Sequence, residues 1–373
     1  MSEPRPTPLP STRSSSLIRY LAIAYFGAVV HASLYPFVGW RAPVDHPAAF
    51  VLANWPYYVT YSDLILNTLA YLPAGFLLAL IFMQRMPRAA AAFAAISCSA
   101  LFSLLIELLQ AYLPARIPSN LDLITNTSGA ILGAAVAGWP GKRWGESGNF
   151  FSLRILFFRQ GNRVDLGVVL LAAWLLTQLN AGTWLFGNGE ILRLLPENAG
   201  FAYSSSTYRY YEAAVAALGF AGVAFMTTAI ARSTKIAAIA IAVLMMLALS
   251  LKSAASSSLY VSGNPLLWIT PGSIAGLATG AGIWLLFCRA PPLRLAQVSA
   301  ACILLGLVAV NLVPENPYLA ATLKVWRHGH YASIDGLTHL LSVIWPFFAL
   351  AYLFVLIRRG VSETVAEQPT ETS

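Results

Sequence analysis

Apolar runs of helix-crossing length recur along this chain, with polar residues set into them at regular intervals. The first runs from Leu17 to Phe37, and others follow from Asp63 to Gln84, Ala89 to Leu113 and Asn120 to Trp139. Six more lie near residues 165–186, 211–230, 236–251, 270–287, 293–313 and 335–357. Each approaches the roughly 20 residues that a helix needs to cross a bilayer. The pattern predicts an all-α, polytopic integral membrane protein of about ten transmembrane helices. Val30-His31-Ala32 has the small-residue look of a signal cleavage site, but the apolar run continues past it, so an uncleaved first span is expected.

The third and fourth runs carry polar groups at helical spacing. Ser103, Glu107 and Gln110 fall at i, i+4 and i+7, and Asp122, Asn126, Gly129 and Gly133 at i, i+4, i+7 and i+11. Each set occupies one helix face. A charge at mid-membrane costs about 2.5–3.5 kcal/mol even on the lenient insertion scale, so an acid retained there marks a candidate site. Asp63 and Asn67 stand one turn apart at the start of the second run, and Arg116 lies in the turn that joins the third run to the fourth. The candidate binding set is therefore Asp63, Asn67, Glu107, Gln110, Arg116, Asp122 and Asn126, expected at one membrane level and facing a shared interior. Arg116 is expected within ion-pair reach of one of the acids. The competing reading makes Asn67, Gln110 and Asn126 interhelical hydrogen-bond partners, and Gly129 and Gly133 sites of close helix packing.

Composition agrees with the pattern. The chain has 373 residues, of which 58% are hydrophobic and 10% charged, with a mean hydropathy of +0.66. That much apolar surface does not fit inside a soluble core. The net charge of +8 comes from small basic groups between apolar runs. They form no continuous stripe, so nucleic acid is not an expected partner. With ten spans, Arg41, Arg116, Arg193, Arg209, Lys252, Lys324 and Arg327 fall on one side and the other Lys and Arg residues of the 23 on the side of the tails. By the positive-inside rule both termini should be cytoplasmic. Cys98, Cys288 and Cys302 lack metal or disulfide spacing, the histidines are scattered, and no nucleotide-binding or hydrolase motif is present. No metal or cofactor is expected.

The joint pattern Glu107-x2-Gln110, Arg116, Asn120-x-Asp122-x3-Asn126-x2-Gly129-x3-Gly133 resembles the signature of the VanZ-like family. This family is named for a membrane protein linked to low-level glycopeptide resistance. The resemblance implies a multi-pass protein of a bacterial cytoplasmic (inner) membrane, connected with the cell envelope, exopolysaccharide or glycopeptide tolerance. It brings no settled activity. The organisation expected from it is a disordered cytoplasmic tail over 1–16, a VanZ-like four-helix unit over 17–139 and a basic cytoplasmic loop over 140–164 containing an interfacial helix near 150–159. A degenerate second four-helix unit over 165–287, a terminal helix pair over 288–358 and a second disordered tail over 359–373 complete it.

The second unit is read from an internal repeat. Ile124-Thr125 and Trp139 return 145 residues later as Ile269-Thr270 and Trp284, and the same offset carries Glu107 onto Lys252. Leu266 or Leu267 stands near where the first copy has Asp122, so any chemistry is expected in the first copy. Three functional readings stay open. In the leading one the protein binds an envelope lipid or lipid-linked glycan at the outer leaflet. In the second it is an enzyme acting on a lipid phosphate, with Glu107 and Asp122 as candidate catalytic acid and base. In the third it is a scaffold for partner membrane proteins, whose identity the sequence does not give.

Overall fold

The structure, a computed structural model, describes residues 16–55, 60–139, 154–180, 182–191, 204–259, 264–312 and 332–366. The expected tails before residue 16 and after 366, and most of the basic loop, lie outside the described residues. Among the described residues the fold is all-helical: α1 (Leu17–Leu34), α2 (Tyr61–Phe82), α3 (Arg88–Gln110), α4 (Asn120–Gly138), α5 (Asn162–Thr177), α6 (Ser205–Ile230), α7 (Thr234–Leu259), α8 (Pro271–Phe287), α9 (Pro292–Leu312) and α10 (Ala332–Ala366). Seven of them, α1, α2, α3, α6, α7, α9 and α10, are long and apolar enough to cross a membrane. α5 and α8 are shorter, at 16 and 17 residues, and α4 carries Asn120, Asp122 and Asn126 in its 19 residues. The chain is a polytopic membrane protein.

It forms two compact units. The first holds residues through Leu156 together with Gln160–Asp165, and the second holds Phe157–Arg159 and Leu166 onward.

In the first unit, local chemistry sets the helix starts. The Thr60 hydroxyl accepts from the Asp63 backbone N–H at 3.2 Å, which caps α2, and Asp63 itself lies in the first turn, where the helix dipole favours an acid. The Ser119 hydroxyl accepts from the Leu121 N–H at 3.2 Å and caps α4. α2 and α4 then meet backbone to backbone. A Cβ on Gly129 would overlap the Thr68 carbonyl, one on Gly133 the Leu72 carbonyl and the Phe76 N–H, and one on Gly75 the backbone of Ala130. This register runs α2 and α4 parallel, with α3 antiparallel to α4 across a short turn. The close-packing role expected for Gly129 and Gly133 is what these contacts require.

In the second unit α8 begins with a capping box. The Thr270 hydroxyl accepts from Ser273 N–H and the Ser273 hydroxyl from Thr270 N–H, with Pro271 at the first position. Gly276 and Gly280 of α8 lie over the Ala213 and Ala217 carbonyls of α6. On another face of α6, the Ser299 hydroxyl of α9 donates to the Gly222 carbonyl at 2.7 Å.

Three expectations change. The fifth run ends at Thr177 rather than near 186, because Thr177 and Gln178 side chains turn back to the Trp174 carbonyl. Such local bonds compete with helix continuation. The last helix extends to Ala366, so residues 359–366 are helical and not tail. Of the interfacial segment expected near 150–159, residues 154–157 are helical. Phe158 instead pairs in a short bridge with Ala231, with Arg159 N–H on the Ile230 carbonyl at 3.0 Å.

Candidate functional site

The glycine-mediated approach of α2 to α4, and the tight turn from α3 to α4, bring the polar faces of three helices together in the first unit. Asn67 on α2 donates through Nδ2 to Oδ1 of Asp122 on α4 at 2.9 Å. Asp122 lies in electrostatic range of Asp63 on one side and of Glu107 on the other. The three acids anticipated from the sequence therefore share one interior region.

Glu107 is the deepest of them, only 2% exposed. Its Oε2 accepts from the Ser119 backbone N–H at 2.9 Å. Ser119 stands just before α4, so Glu107 meets one of the N–H groups that a helix start leaves without an intrahelical partner, at the positive end of the α4 dipole. One turn along α3 and α4, Asn126 Nδ2 donates to the Ser103 hydroxyl at 2.9 Å. Asn126 is 6% exposed, and its Oδ1 is buried without a hydrogen-bond partner. Tyr71 of α2 is also buried. Its hydroxyl approaches Ser103 and senses both Glu107 and Asp122, although no hydrogen bond of full geometry is made. The buried Ser99 hydroxyl, one turn below Ser103, is likewise without a partner.

Gln110 and Arg116 go elsewhere. Gln110 Nε2 donates to the Ser33 carbonyl at 2.9 Å. Arg116 donates from Nη2 to the Ala32 carbonyl at 3.0 Å and to the Tyr35 carbonyl at 2.8 Å, and from Nε to Tyr35 at 3.1 Å. These oxygens end α1, where the last carbonyls have no intrahelical donors and the dipole is negative. The planar guanidinium fork suits two such acceptors at once. Partial burial pushes the Arg116 pKa below its usual value, which still leaves it a cation. The ion pair expected between Arg116 and Glu107 or Asp122 is thus replaced by capping of α1. The ion pair between described residues is a different one, Arg154 with Asp165; the Ser16 hydroxyl also donates to Asp165 at 2.7 Å.

The site accordingly divides into two groups. Asp63, Asn67, Glu107, Asp122 and Asn126 line the α2–α3–α4 interior, and Gln110 and Arg116 tie the end of α1 to α3 and the turn. The interior group is rich in acceptors, with three carboxylates and one orphan amide oxygen, and the hydroxyls of Ser103, Tyr71 and Ser99 are buried on the neighbouring turns. Among the described residues no group of three or more His, Cys, Asp or Glu side chains could hold a metal ion. Tyr71 and Ser99 were not read from the sequence. Tyr71 stands one turn beyond Asn67 on the same face of α2, a spacing that could have signalled it.

Nothing among curated proteins or solved structures matches this chain. The family model VanZ/LLP1 matches residues 8–139. That stretch, about a third of the chain, contains α1 to α4 and every residue of the interior group, and over it the chain is similar to the VanZ/LLP1 family.

Proposed function

We propose that the interior group of the first unit binds the hydroxyl-bearing head of an envelope lipid or lipid-linked glycan, at the outer leaflet of a bacterial cytoplasmic membrane. The observation that carries this reading is the acceptor-rich interior itself, where Glu107 and Asp122 lie in electrostatic range of each other and the Asn126 oxygen, one turn along α4 from Asp122, is buried without a partner, while the described bonds of Arg116 go to α1. Acceptors call for donors, and a sugar or glycerol head supplies hydroxyl donors. Three carboxylates would repel a phosphate placed among them, so the phosphate of such a lipid would lie outside the group.

The test is lipid analysis of the purified full-length protein. A hydroxyl-rich or glycan-bearing lipid should co-purify in stoichiometric amount and be lost from an Asp122→Asn, Asn126→Leu double variant that still folds. Identical lipids on the variant and the parent, together with unchanged envelope lipids, glycans and glycopeptide tolerance in a deletion strain, would reject the reading.

One observation favours a second reading, catalysis. Glu107 and Asp122 interact yet differ in exposure, one deeply buried and the other half-buried, and unlike surroundings are how paired carboxylates divide acid and base roles. Turnover of a lipid-linked substrate that disappears in Glu107→Gln would select this reading over simple binding.

A further inference from the structure

The segment that joins α1 to α2 is apolar without being a span. Between Pro36 and Trp55 it holds only turns, bends and the short 3₁₀ helix Ala49–Leu52. Yet Val38, Trp40, Val44, Leu52 and Trp55 are all exposed, Val44 wholly and Leu52 at 94%. Ile117, in the α3–α4 turn, is 88% exposed.

The segment is tied down along its length. Phe50 of the 3₁₀ helix is buried. Arg41 N–H donates to the Tyr112 carbonyl just past α3 at 3.0 Å, and Asn120 Nδ2 of α4 donates to the Ala53 carbonyl at 2.7 Å. Gly39 lies against the Pro114 ring. The segment therefore sits on the α3–α4 turn, at the level where α1 and α3 end and α2 and α4 begin.

Two constraints decide what surrounds it. Exposed side chains this apolar are unfavourable in water. Lipid-exposed backbone outside helix and sheet is equally unfavourable in hydrocarbon, where its N–H and C=O groups find no partners. The headgroup layer meets both conditions, because it hydrates backbone and still takes up apolar side chains. Tryptophan suits that layer best, with an apolar body and one polar edge. Arg41 and Asp45 balance in charge, so the contact comes from apolar burial and not from attraction to anionic lipid.

We infer that residues 37–55 and the α3–α4 turn form one interfacial surface, bedded in the headgroup layer of the membrane that the helices cross. Lipid is the occupant because the surface is continuous with the lipid-facing spans α1, α2 and α3, whose ends it joins. The inference is independent of the lipid reading proposed for the interior group.

The experiment uses the full-length protein in phosphatidylcholine vesicles whose chains are brominated near the ester end in one set and near the methyl end in the other. The components of emission removed by Trp40→Phe and by Trp55→Phe should be lost to the first set and largely kept in the second. A second readout leaves both tryptophans in place. In a Cys98→Ser, Cys288→Ser, Cys302→Ser background, spin labels on Val44→Cys, Leu52→Cys and Ile117→Cys should be reached more readily by oxygen than by a water-soluble nickel chelate. Emission quenched by iodide on both faces of the membrane but by neither lipid, with the labels open to the chelate, would put the surface in water. Emission shielded from iodide and from both lipids would mean that protein, a second copy included, covers it. Either result overturns the inference.

Discussion

The two units place an acid and a base at matching positions, and each is bound to backbone. Helix starts match within one residue at an offset of 145 for α1 and α5, α2 and α6, and α3 and α7. Glu107 and Lys252 are equivalent by that offset, and both are 2% exposed. Glu107 accepts from the N–H that opens α4. Lys252 Nζ donates to the Asn180 carbonyl at 2.7 Å and to the Thr183 carbonyl at 2.6 Å, just past the end of α5. Asn180 is the counterpart of Tyr35, whose carbonyl accepts from Arg116 in the first unit. Each unit thus sets a basic side chain on a carbonyl at or just past the end of its first helix, Arg116 from the α3–α4 turn in the first and Lys252 from α7 in the second.

The largest expected effect tests the feature that both copies share. Gly133→Leu sets a side chain against the Leu72 carbonyl, and Gly280→Leu does the same against Ala217. Backbone cannot yield as a flexible side chain can, so each should exceed the usual ~1–3 kcal/mol cost of overpacking and abolish monodisperse protein. Gly27→Ala and Gly282→Ala meet nothing within 4 Å and should raise thermal stability by up to about 1 kcal/mol through helix propensity. Tolerance of one leucine and not the other, seen by size-exclusion chromatography, would show that the two crossings are not equivalent.

Next in size is Lys252. Lys252→Met keeps the volume but strands the Asn180 and Thr183 carbonyls, a loss of about 1.5–3 kcal/mol for bonds to a charged donor. Lys252→Glu, which copies the first unit, turns a carboxylate toward carbonyl oxygens and should cost more, about 3–5 kcal/mol. A melting series in which the glutamate variant is at least as stable as the methionine one would break the comparison.

These features were not equally readable in advance. The spans, the packing role of Gly129 and Gly133 and the convergence of Asp63, Glu107 and Asp122 follow from periodicity, because side chains repeating along a helix face declare where that face points. The partner of Arg116 was not readable. Its targets are main-chain oxygens of Ala32 and Tyr35, and every residue carries such an oxygen, so the sequence around them holds no sign of the contact. The same holds for Lys252. The early end of α5 at Thr177 was hidden by the apolar residues that follow it, Trp184, Leu185 and Phe186, which are buried without being helical.

Arg116 comes third in expected effect. It is half-buried rather than enclosed, so water can partly replace it when it is removed. Arg116→Ala should cost about 1–2 kcal/mol through the loss of its α1 capping bonds. Arg116→Lys can still reach one carbonyl and should recover about half of that. If lysine restores nothing, the single point charge that serves the second unit does not serve the first, and the two caps differ in kind.

The smallest effect on stability should come from Glu107→Gln, and its smallness is what separates the two copies. Glutamine keeps an oxygen that can accept from the Ser119 N–H and fills the same volume. Melting should therefore shift by under about 1 kcal/mol. The same substitution removes a strong acceptor from the interior group and should therefore release the co-purifying lipid. Stability held while the ligand is lost would mark position 107 as functional in the first unit, where its counterpart at 252 is structural. A clear fall in melting temperature with lipid content unchanged would instead make Glu107 a helix-capping residue like Lys252, and the acidic interior would lose its claim to be a binding site.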